Sequence, residues 1–422
     1  MTSYTITGGR PLCGECRVQG SKNSSLPVLA AALLSAGVSE INNCPEISDI
    51  DATLKILNKL GCKTFRSGST VTVDSTDACG NDIPDELMHE MRSSVIFLGA
   101  ILARMGRVKL SHPGGCEIGE RPIDLHLDAM RKLGATVKEE AGIIECSAPG
   151  GLKGADIVLS FPSVGATENA VIAASTAEGI TTITNAAMEP EIKDLADFLN
   201  ACGAEITGAG EKTICVRGVK KLHGASHRII PDRIVAATLM AGAAMTRGKL
   251  TLTDMIPQHL IPVASVLKEM GCVITGGSDH ITLTAPARLN RVGSKIITMP
   301  YPGFPTDAQA QIAAALCVAD GTSVLVEKIF ENRFRYACEL KRFGAKITTE
   351  GQTAVIEGVN RLIPARAVSP DLRGGAALLL AGFTAEGVSV ITDDGYIERG
   401  YEAPEKLFGS INGMIKRTDD NG

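Results

Sequence analysis

Six copies of one phrase run through this chain at a spacing of about 70 residues, and this period constrains the fold more than any single motif. The phrase is a small, Ala-rich apolar segment that stops at glycine and passes into an alternating strand. It reads LAAALLSAGVSEINN around Gly37, LGAILARMGRVKLSH around Gly106 and IAASTAEGITTITNA around Gly179. It returns as LMAGAAMTRGKLTLTD around Gly248, IAAALCVADGTSVLVE around Gly321 and LLLAGFTAEGVSVITD around Gly387. These glycines lie 69, 73, 69, 73 and 66 residues apart. A second marker, an apolar residue before glycine and a short strand, falls in the same phase at Gly61, Gly134, Gly203, Gly271, Gly344 and Gly409. Two independent markers in phase imply six copies of one α/β unit, three to each half.

Within the first copy, residues 25–36 have helical composition and are expected to end at Gly37, a natural left-handed stop. Val38 to Ile41 alternate as a strand. Asp49 to Leu60 carry Leu54, Ile56, Leu57 and Leu60 at helical spacing, and Gly61 ends that helix. Two short strands follow, Cys62 to Arg66 and Val71 to Val73, joined by Ser67-Gly68-Ser69. A strand near Glu15 to Gln19 ahead of the first helix completes a β-α-β-α-β-β unit. The first helices of the copies are apolar nearly all round and are expected to be buried; the second are more polar and should lie outside. Each half then packs three sheets around buried helices. With 422 residues the chain exceeds one core, and the crossing is expected just past Arg228, where Pro231-Asp232 opens the fourth copy.

Composition narrows the function. Aromatics are only 4% and Trp is absent, so the core must be Ala, Leu, Ile and Val. A net charge of −5 gives no reason to expect nucleic acid. There is no apolar run of 18 residues, so no membrane span is expected, and MTSYTITGGRPLCGE has no signal-peptide pattern. Twelve cysteines in a chain this long suit a reducing cytoplasm and not a disulfide framework. Cys62 and Cys272 stand where other copies carry Ala135, Ala204 and Ala345, which reads as small buried apolar residues. Cys13 and Cys16 form a lone pair without further ligands nearby, so no metal is expected.

Function is sought where the repeat is broken. The second copy alone gains Pro113-Gly114-Gly115-Cys116, within SHPGGCEIGERPIDLH. Such a loop holds a cysteine exposed, and Arg121, Asp124 and His126 follow closely. A nearby cation draws a thiol from roughly 8.5 toward neutrality, the range of a proton donor or nucleophile. Polar islands also recur at the starts of the apolar helices. They are Lys22 and Asn23 in GSKNSSLP, Arg92 in EMRSS, Ser163 and Thr167 in PSVGATEN, Asp307 in YPGFPTDAQAQ, and Asp371 with Arg373 in SPDLRGGAA. One alone would be a helix cap. Recurrence at equivalent places points to a shared cleft. Arg333 in ENRF and Arg399 in GYIERGYE add cations, which implies a small, multiply anionic substrate.

These segments, with EPEIKDLADFL and IPDRI, resemble those of the UDP-N-acetylglucosamine enolpyruvyl transferase (1-carboxyvinyltransferase) family over essentially all 422 residues. The resemblance implies a two-domain inside-out α/β barrel built from six β-α-β-α-β-β repeats. Its domains would be residues 1–21 with 232–422, closed by the N-terminal strand, and residues 22–231, carrying the Cys116 loop. It implies transfer of the enolpyruvyl group of phosphoenolpyruvate to the 3-hydroxyl of UDP-N-acetylglucosamine, by addition and then elimination of phosphate. This is the first committed step of peptidoglycan precursor synthesis. Lys22, Arg121 and Arg399, with Arg92 close by, would hold the phosphate and carboxylate. Cys116 would protonate C3 and would be the covalent target of the epoxide fosfomycin. Asp307 would take the hydroxyl proton. Arg121, Pro122, Ile123, Asp124 and Leu125, with Ser163, Val164 and Gly165, would hold uridine and diphosphate. Asn23, Asp307 and Arg333 would line the sugar site, and Asp371 and Arg373 would support the phosphate-binding cations. Neither a metal nor another cofactor is implied.

The chain departs from the family pattern at several places. Ser48 and Phe161 stand where Lys is frequent, which bears on diphosphate affinity. Val235-Ala236, Gly374-Gly375 and Tyr301 replace Glu-Thr, Ala-Ser and His. The proposed catalytic positions are intact. The rival readings are a shikimate 3-phosphate enolpyruvyl transferase, which works without the loop cysteine, an RNA 3′-phosphate cyclase, and a non-catalytic nucleotide-sugar-binding paralogue.

Overall fold

The computed structural model describes residues 1–90, 94–112 and 123–419. They form two compact units. One comprises Met1–Gln19 with the chain from Pro231 onward, the other the described residues between Gly20 and Ile230. For brevity these are the C-unit and the N-unit. In the N-unit, α1 (Lys22–Ala32) and α2 (Ser48–Lys59) belong to the first copy. A short α3 (Asp85–Glu90) precedes α4 (Phe97–Met105) and α5 (Asp124–Lys132) of the second, and α6 (Val164–Ala174) and α7 (Pro190–Ala201) form the third. The C-unit holds α8 (Arg233–Met245) and α9 (Ile261–Glu269), α10 (Gln309–Leu316) and α11 (Tyr336–Arg342), then α12 (Leu372–Thr384) and α13 (Pro404–Gly409).

The first helix of each copy forms the core, as its all-round apolar surface requires. Every residue of α1 except Asn23 is buried, every residue of α8 except Arg233, and all of α10. In the N-unit α4 packs on α6, and in the C-unit α10 packs on both α8 and α12. Each fully buried Leu or Ile contributes roughly 1.5–3 kcal/mol. The second helices bury one face: α2 turns Ile50, Ile56 and Leu57 inward and Lys55, Asn58 and Lys59 to solvent. Among the described residues no helix is long and apolar enough to cross a membrane.

Each unit carries three sheets on the same plan. The strand after the first helix is central. In the first five copies an antiparallel hairpin of the same copy flanks it on one side, and in every copy but the second, where a single parallel bridge joins Asp82 to Lys109, a parallel lead strand flanks the other. In the third, fifth and sixth copies the lead strand belongs to the same copy: Asp156–Val158 on Ile180–Thr184, Ile296–Ile297 on Thr322–Val326, and Arg366–Val368 on Gly387–Asp393. The first and fourth copies exchange theirs. Gly14–Arg17, ahead of α1, pairs with Lys249–Thr253 of the fourth copy. Ser226–Arg228, ahead of α8, pairs with Val38–Asn42 of the first. This corrects the expectation that the strand near Glu15 completes its own copy. The chain leaves a unit after placing a lead strand in it and begins the next helix in the other. In the sixth copy Thr2–Gly8 takes the place of the second hairpin strand, antiparallel between Gly387–Asp393 and Met414–Asp419.

Gly106, Gly179, Gly321 and Gly387 have positive φ, but only Gly106 caps its helix as expected; α6, α10 and α12 end earlier, at Ala174, Leu316 and Thr384, and their glycines turn the chain after the helix. In the first and fourth copies the left-handed residue falls one position earlier, at Ala36 (φ 45°) and Arg247 (φ 59°). Gly37 is therefore not the left-handed stop. Gly248 is required for space instead, since a Cβ there would lie 1.9 Å from the Leu12 carbonyl oxygen.

Candidate active site

The polar starts of the buried helices divide once their bonds are known. Four are true caps. Ser21 Oγ accepts the Ser24 N–H at 3.3 Å and Ser163 Oγ accepts that of Ala166 at 3.3 Å. Asp232 Oδ1 accepts from Ile234 and Val235 at 2.8 and 3.0 Å, and Asp371 Oδ1 from Arg373 and Gly374 at 2.9 and 3.0 Å. Helix α1 therefore starts at Lys22, three residues earlier than its composition indicates. Asp307 is the exception. It sits in a 3-10 turn, Thr306–Ala308, ahead of α10, and no side chain caps either element. The hydroxyl of Thr306, which a cap reading would use, donates instead to Glu327 Oε2 at 3.0 Å.

Asp307 is held by two buried guanidinium groups. Arg333 Nη2 donates to Oδ1 and Arg373 Nη2 to Oδ2, each at 3.0 Å, while the carboxylate keeps 28% of its surface exposed. Arg333 also donates to the Thr306 carbonyl at 3.2 Å. Burial works against the charge of Arg373, but Asp307, Tyr401 and Asp232 outweigh it and hold its pKa above the ordinary arginine value. Arg333 Nε, Arg373 Nη1 and Asp371 Oδ2 are buried without a protein partner among the described residues. The C-unit thus presents one partly open carboxylate on a cationic floor with hydrogen-bonding capacity left over. Arg399 ends a half-buried 3-10 turn, Ile397–Arg399. Two residues on, the Tyr401 hydroxyl lies 2.8 Å from Thr238 of α8 and accepts from Gln311 of α10 at 3.3 Å, which anchors that segment.

Glu327 stabilises the same region from beneath. It is fully buried, and its carboxylate accepts from Thr298 (2.8 Å), Thr306 (3.0 Å) and the Ile329 and Phe330 N–H groups (2.7 and 3.1 Å). It ties the turn leading to Arg333 to the residue beside Asp307. Sequence reasoning passed over it because it stands at the end of an ordinary strand.

In the N-unit, Lys22 is the first residue of α1, and its ammonium lies 2.7 Å from Asp49 at the second position of α2. The ion pair offsets the cost of burying a lysine at the head of an apolar helix. Asn23 beside it is half-buried. Ser24 donates to Asp194 Oδ2, and the other oxygen of Asp194 bonds His227 Nε2 at 2.9 Å, so α7 and the strand Ser226–Arg228 fix the start of α1. Ser163, Val164 and Gly165 open α6, all half-buried, and Ile123 is buried ahead of α5, whose first residues Asp124 and Leu125 are exposed and half-buried. Ser48 is exposed, and Phe161 exposes 43% of its surface two residues before Ser163. Arg92, Cys116, Arg121 and Pro122 lie outside the described residues. The structure brings Asp307, Arg333, Arg373 and Asp371 together in one unit; in the other, Lys22 and Asn23 share one helix start and Ser163 to Gly165 another.

Among the described residues, no group of three or more His, Cys, Asp or Glu is arranged to hold a metal ion. Burial pushes the Cys62, Cys146 and Cys272 thiols up to about 11 and those of Cys202 and Cys317 up to about 12, which makes them poor nucleophiles at neutral pH.

One buried acid within α6 is readable in stability. Burial, then the charges of Glu191 and Glu189, raise the pKa of Glu168 well above the ordinary glutamate value of 4.5. The folded state holds its proton more tightly than the unfolded chain. Its favourable contribution is complete below pH 4.5 and is lost as pH rises toward the raised value, by about 1.4 kcal/mol per pH unit. Glu168→Gln is therefore expected to change little in acid and to stabilise the protein increasingly as pH rises. Urea midpoints across pH check this, and parallel wild-type and variant curves would refute it.

The family model described as EPSP synthase (3-phosphoshikimate 1-carboxyvinyltransferase) matches residues 6–407. Among solved structures, the enolpyruvyl transferase NikO from Streptomyces tendae is similar with a TM-score of 0.88 at 25% identity, over 99% of each chain. EPSP synthase from Acinetobacter baumannii shares the fold with a TM-score of 0.73 at 20% identity, over 99% of this chain and 100% of that one. These matches, with the paired three-copy units, define the class as the enolpyruvyl transferases. UDP-N-acetylglucosamine 1-carboxyvinyltransferase 2 of Caldanaerobacter subterraneus subsp. tengcongensis is 50% identical over 99% of this chain and 100% of its own length. The enzyme of that name from Finegoldia magna is 46% identical over 97% of each. The chain belongs to the UDP-N-acetylglucosamine 1-carboxyvinyltransferase family.

Proposed function

We propose that the chain transfers the enolpyruvyl group of phosphoenolpyruvate to the 3-hydroxyl of UDP-N-acetylglucosamine and releases phosphate. The observation that carries this is the 50% identity over full length to a relative of that name, far above the 20–25% shared with the solved enolpyruvyl transferases. The shikimate acceptor named by the family model is not favoured on that ground.

In the addition step Asp307 takes the proton of the 3-hydroxyl as its oxygen bonds C2 of phosphoenolpyruvate, and Cys116 gives a proton to C3. Lys22, Arg121 and Arg399, with Arg92, neutralise the phosphate and carboxylate. In the elimination step a proton leaves C3, the C2–O bond to phosphate breaks, and the enol ether and inorganic phosphate remain. The Arg333 and Arg373 pairs support Asp307's role by fixing the direction of its carboxylate. Ser163 to Gly165 and Ile123 to Leu125 hold the nucleotide, and the residues 1–21 with 232–422 and 22–231 act as the two domains. A cytoplasmic location suits a thiol-rich chain of this kind.

The test is phosphate release from phosphoenolpyruvate with each acceptor. Release is expected with UDP-N-acetylglucosamine and not with shikimate 3-phosphate. The reverse pattern overturns the acceptor, and no release with either favours a binding paralogue. In the same preparation fosfomycin should inactivate by opening its epoxide on the Cys116 sulfur. Peptide mapping that finds exposed Cys79, Cys215 or Cys338 modified first at matched inactivation would count against Cys116.

A further inference from the structure

Helix α5 contributes one polar side chain that the chemistry above leaves unused. His126 is only 7% exposed, and its one polar contact among the described residues is Nδ1, 2.8 Å from Asn169 Nδ2 of α6. The orientation of the Asn169 amide follows from its other partners. Its Oδ1 accepts the Gly99 N–H at 2.7 Å, and that backbone group can only donate. Gly99 lies in the first turn of α4, which has no cap from its own flank. Asn169 Nδ2 also donates to the Val95 carbonyl at 3.0 Å. An amide nitrogen facing Nδ1 has only hydrogens to offer, so Nδ1 accepts and the neutral ring carries its proton on Nε2. Burial lowers the His126 pKa to about 4, in keeping with a neutral ring.

The Nε2–H has no protein partner among the described residues and lies against the opening turn of α6. A Cβ added to Gly165 would meet His126 Cε1 at 2.9 Å and Nε2 at 3.3 Å. The same turn directs unbonded backbone N–H groups outward, as helix starts do.

We propose that Asn169 is a positioning residue for an anion subsite at the start of α6. It pins His126 as the Nε2–H tautomer and turns that donor, beside Gly165 and Ser163, toward the diphosphate of a nucleoside diphosphate ligand. This rests on the nucleotide-sugar reading above. Asn169 thereby locks α4, α5 and α6 into one arrangement at the point where the ligand is held.

Long-range 1H–15N correlation spectra of the full, 15N-labelled chain read the tautomer directly, with UDP as the probe ligand. An unprotonated Nδ1 is expected, together with an Nε2–H that shifts on UDP addition along with the Ser163 to Gly165 amides. Asn169→Asp places an acceptor at Nδ1 and should protonate it. That variant should raise the KM for UDP-N-acetylglucosamine about tenfold or more, with a smaller change in kcat. His126→Gln, which keeps an N–H near the Nε2 position, should retain more affinity than His126→Leu. An Nδ1–H tautomer in the wild type overturns the proposal, and that readout needs no folded variant. So does an Nε2–H that stays unmoved while the Ser163 to Gly165 amides shift. If UDP shifts nothing at the start of α6, the nucleotide reading itself falls and the subsite with it.

Discussion

Asp307→Asn is expected to lower kcat by roughly 10²–10⁴-fold at saturating substrates, the range for loss of a general base. At a helix start a carboxylate can also serve as a cap, whose loss costs about 1 kcal/mol. The bonds remove it, because Thr306 is engaged by Glu327 and Asp307 by Arg333 and Arg373. What remains is a choice between a base and a mere organiser of two arginines. Asparagine keeps the size and one accepting oxygen, so one guanidinium loses its partner and stability should fall by about 1–3 kcal/mol. An organiser's loss would let both arginines shift and would raise KM as much as it lowers kcat. A base's loss falls on kcat. Near-normal turnover in Asp307→Asn would show that the hydroxyl proton goes elsewhere.

The second large effect is at Lys22. Lys22→Met removes the ammonium 2.7 Å from Asp49, which is 2% exposed, and breaking a buried pair from one side costs about 3–5 kcal/mol. Turnover should fall as well, by about a hundredfold or more, if the ammonium also neutralises phosphoenolpyruvate. The double variant Lys22→Met with Asp49→Leu separates the roles. Replacing both partners by apolar groups should restore most of the stability, measured by circular dichroism in denaturant, and none of the turnover. Recovery of turnover in the double variant would make Lys22 a structural residue only.

Much of the architecture is legible in the sequence because it repeats. Apolar helices recur six times, and left-handed glycines and hairpins in most copies, so each copy corrects the reading of the others. The exchange of lead strands is not legible in the local pattern; only the family resemblance implied that residues 1–21 pack with the second half. Gly14–Arg17 and Ser226–Arg228 have the same local pattern as lead strands that stay at home, and only long-range pairing distinguishes them. Helix α1 was expected too late in the chain because Lys22 and Asn23 look like loop residues until Ser21 is known to cap them. At the site, charged islands such as Asp307, Arg333 and Arg373 stand out against apolar text. Glu327 and Asp49 do not, since a carboxylate at a strand end or in a polar first turn is ordinary. Asn169 gave a signal that went unused: Thr167, Glu168 and Asn169 interrupt a helix that is otherwise apolar, and all three are buried.

The place of Thr2–Gly8 between Gly387–Asp393 and Met414–Asp419 sets an order on biosynthesis. Residues 20–230 leave the ribosome as one continuous run, and the N-unit needs nothing made later. The first strand of the chain has no such neighbour. At about 5–20 residues per second it waits roughly 20–80 s with both edges unpaired, until Gly387–Asp393 and Met414–Asp419 emerge. Its alternate residues Ser3, Thr5 and Thr7 keep one face of that waiting strand polar while Tyr4 and Ile6, on the other, are held for the core. Thr2–Gly8 thus folds long after it is made, and it closes the sheet from the inside.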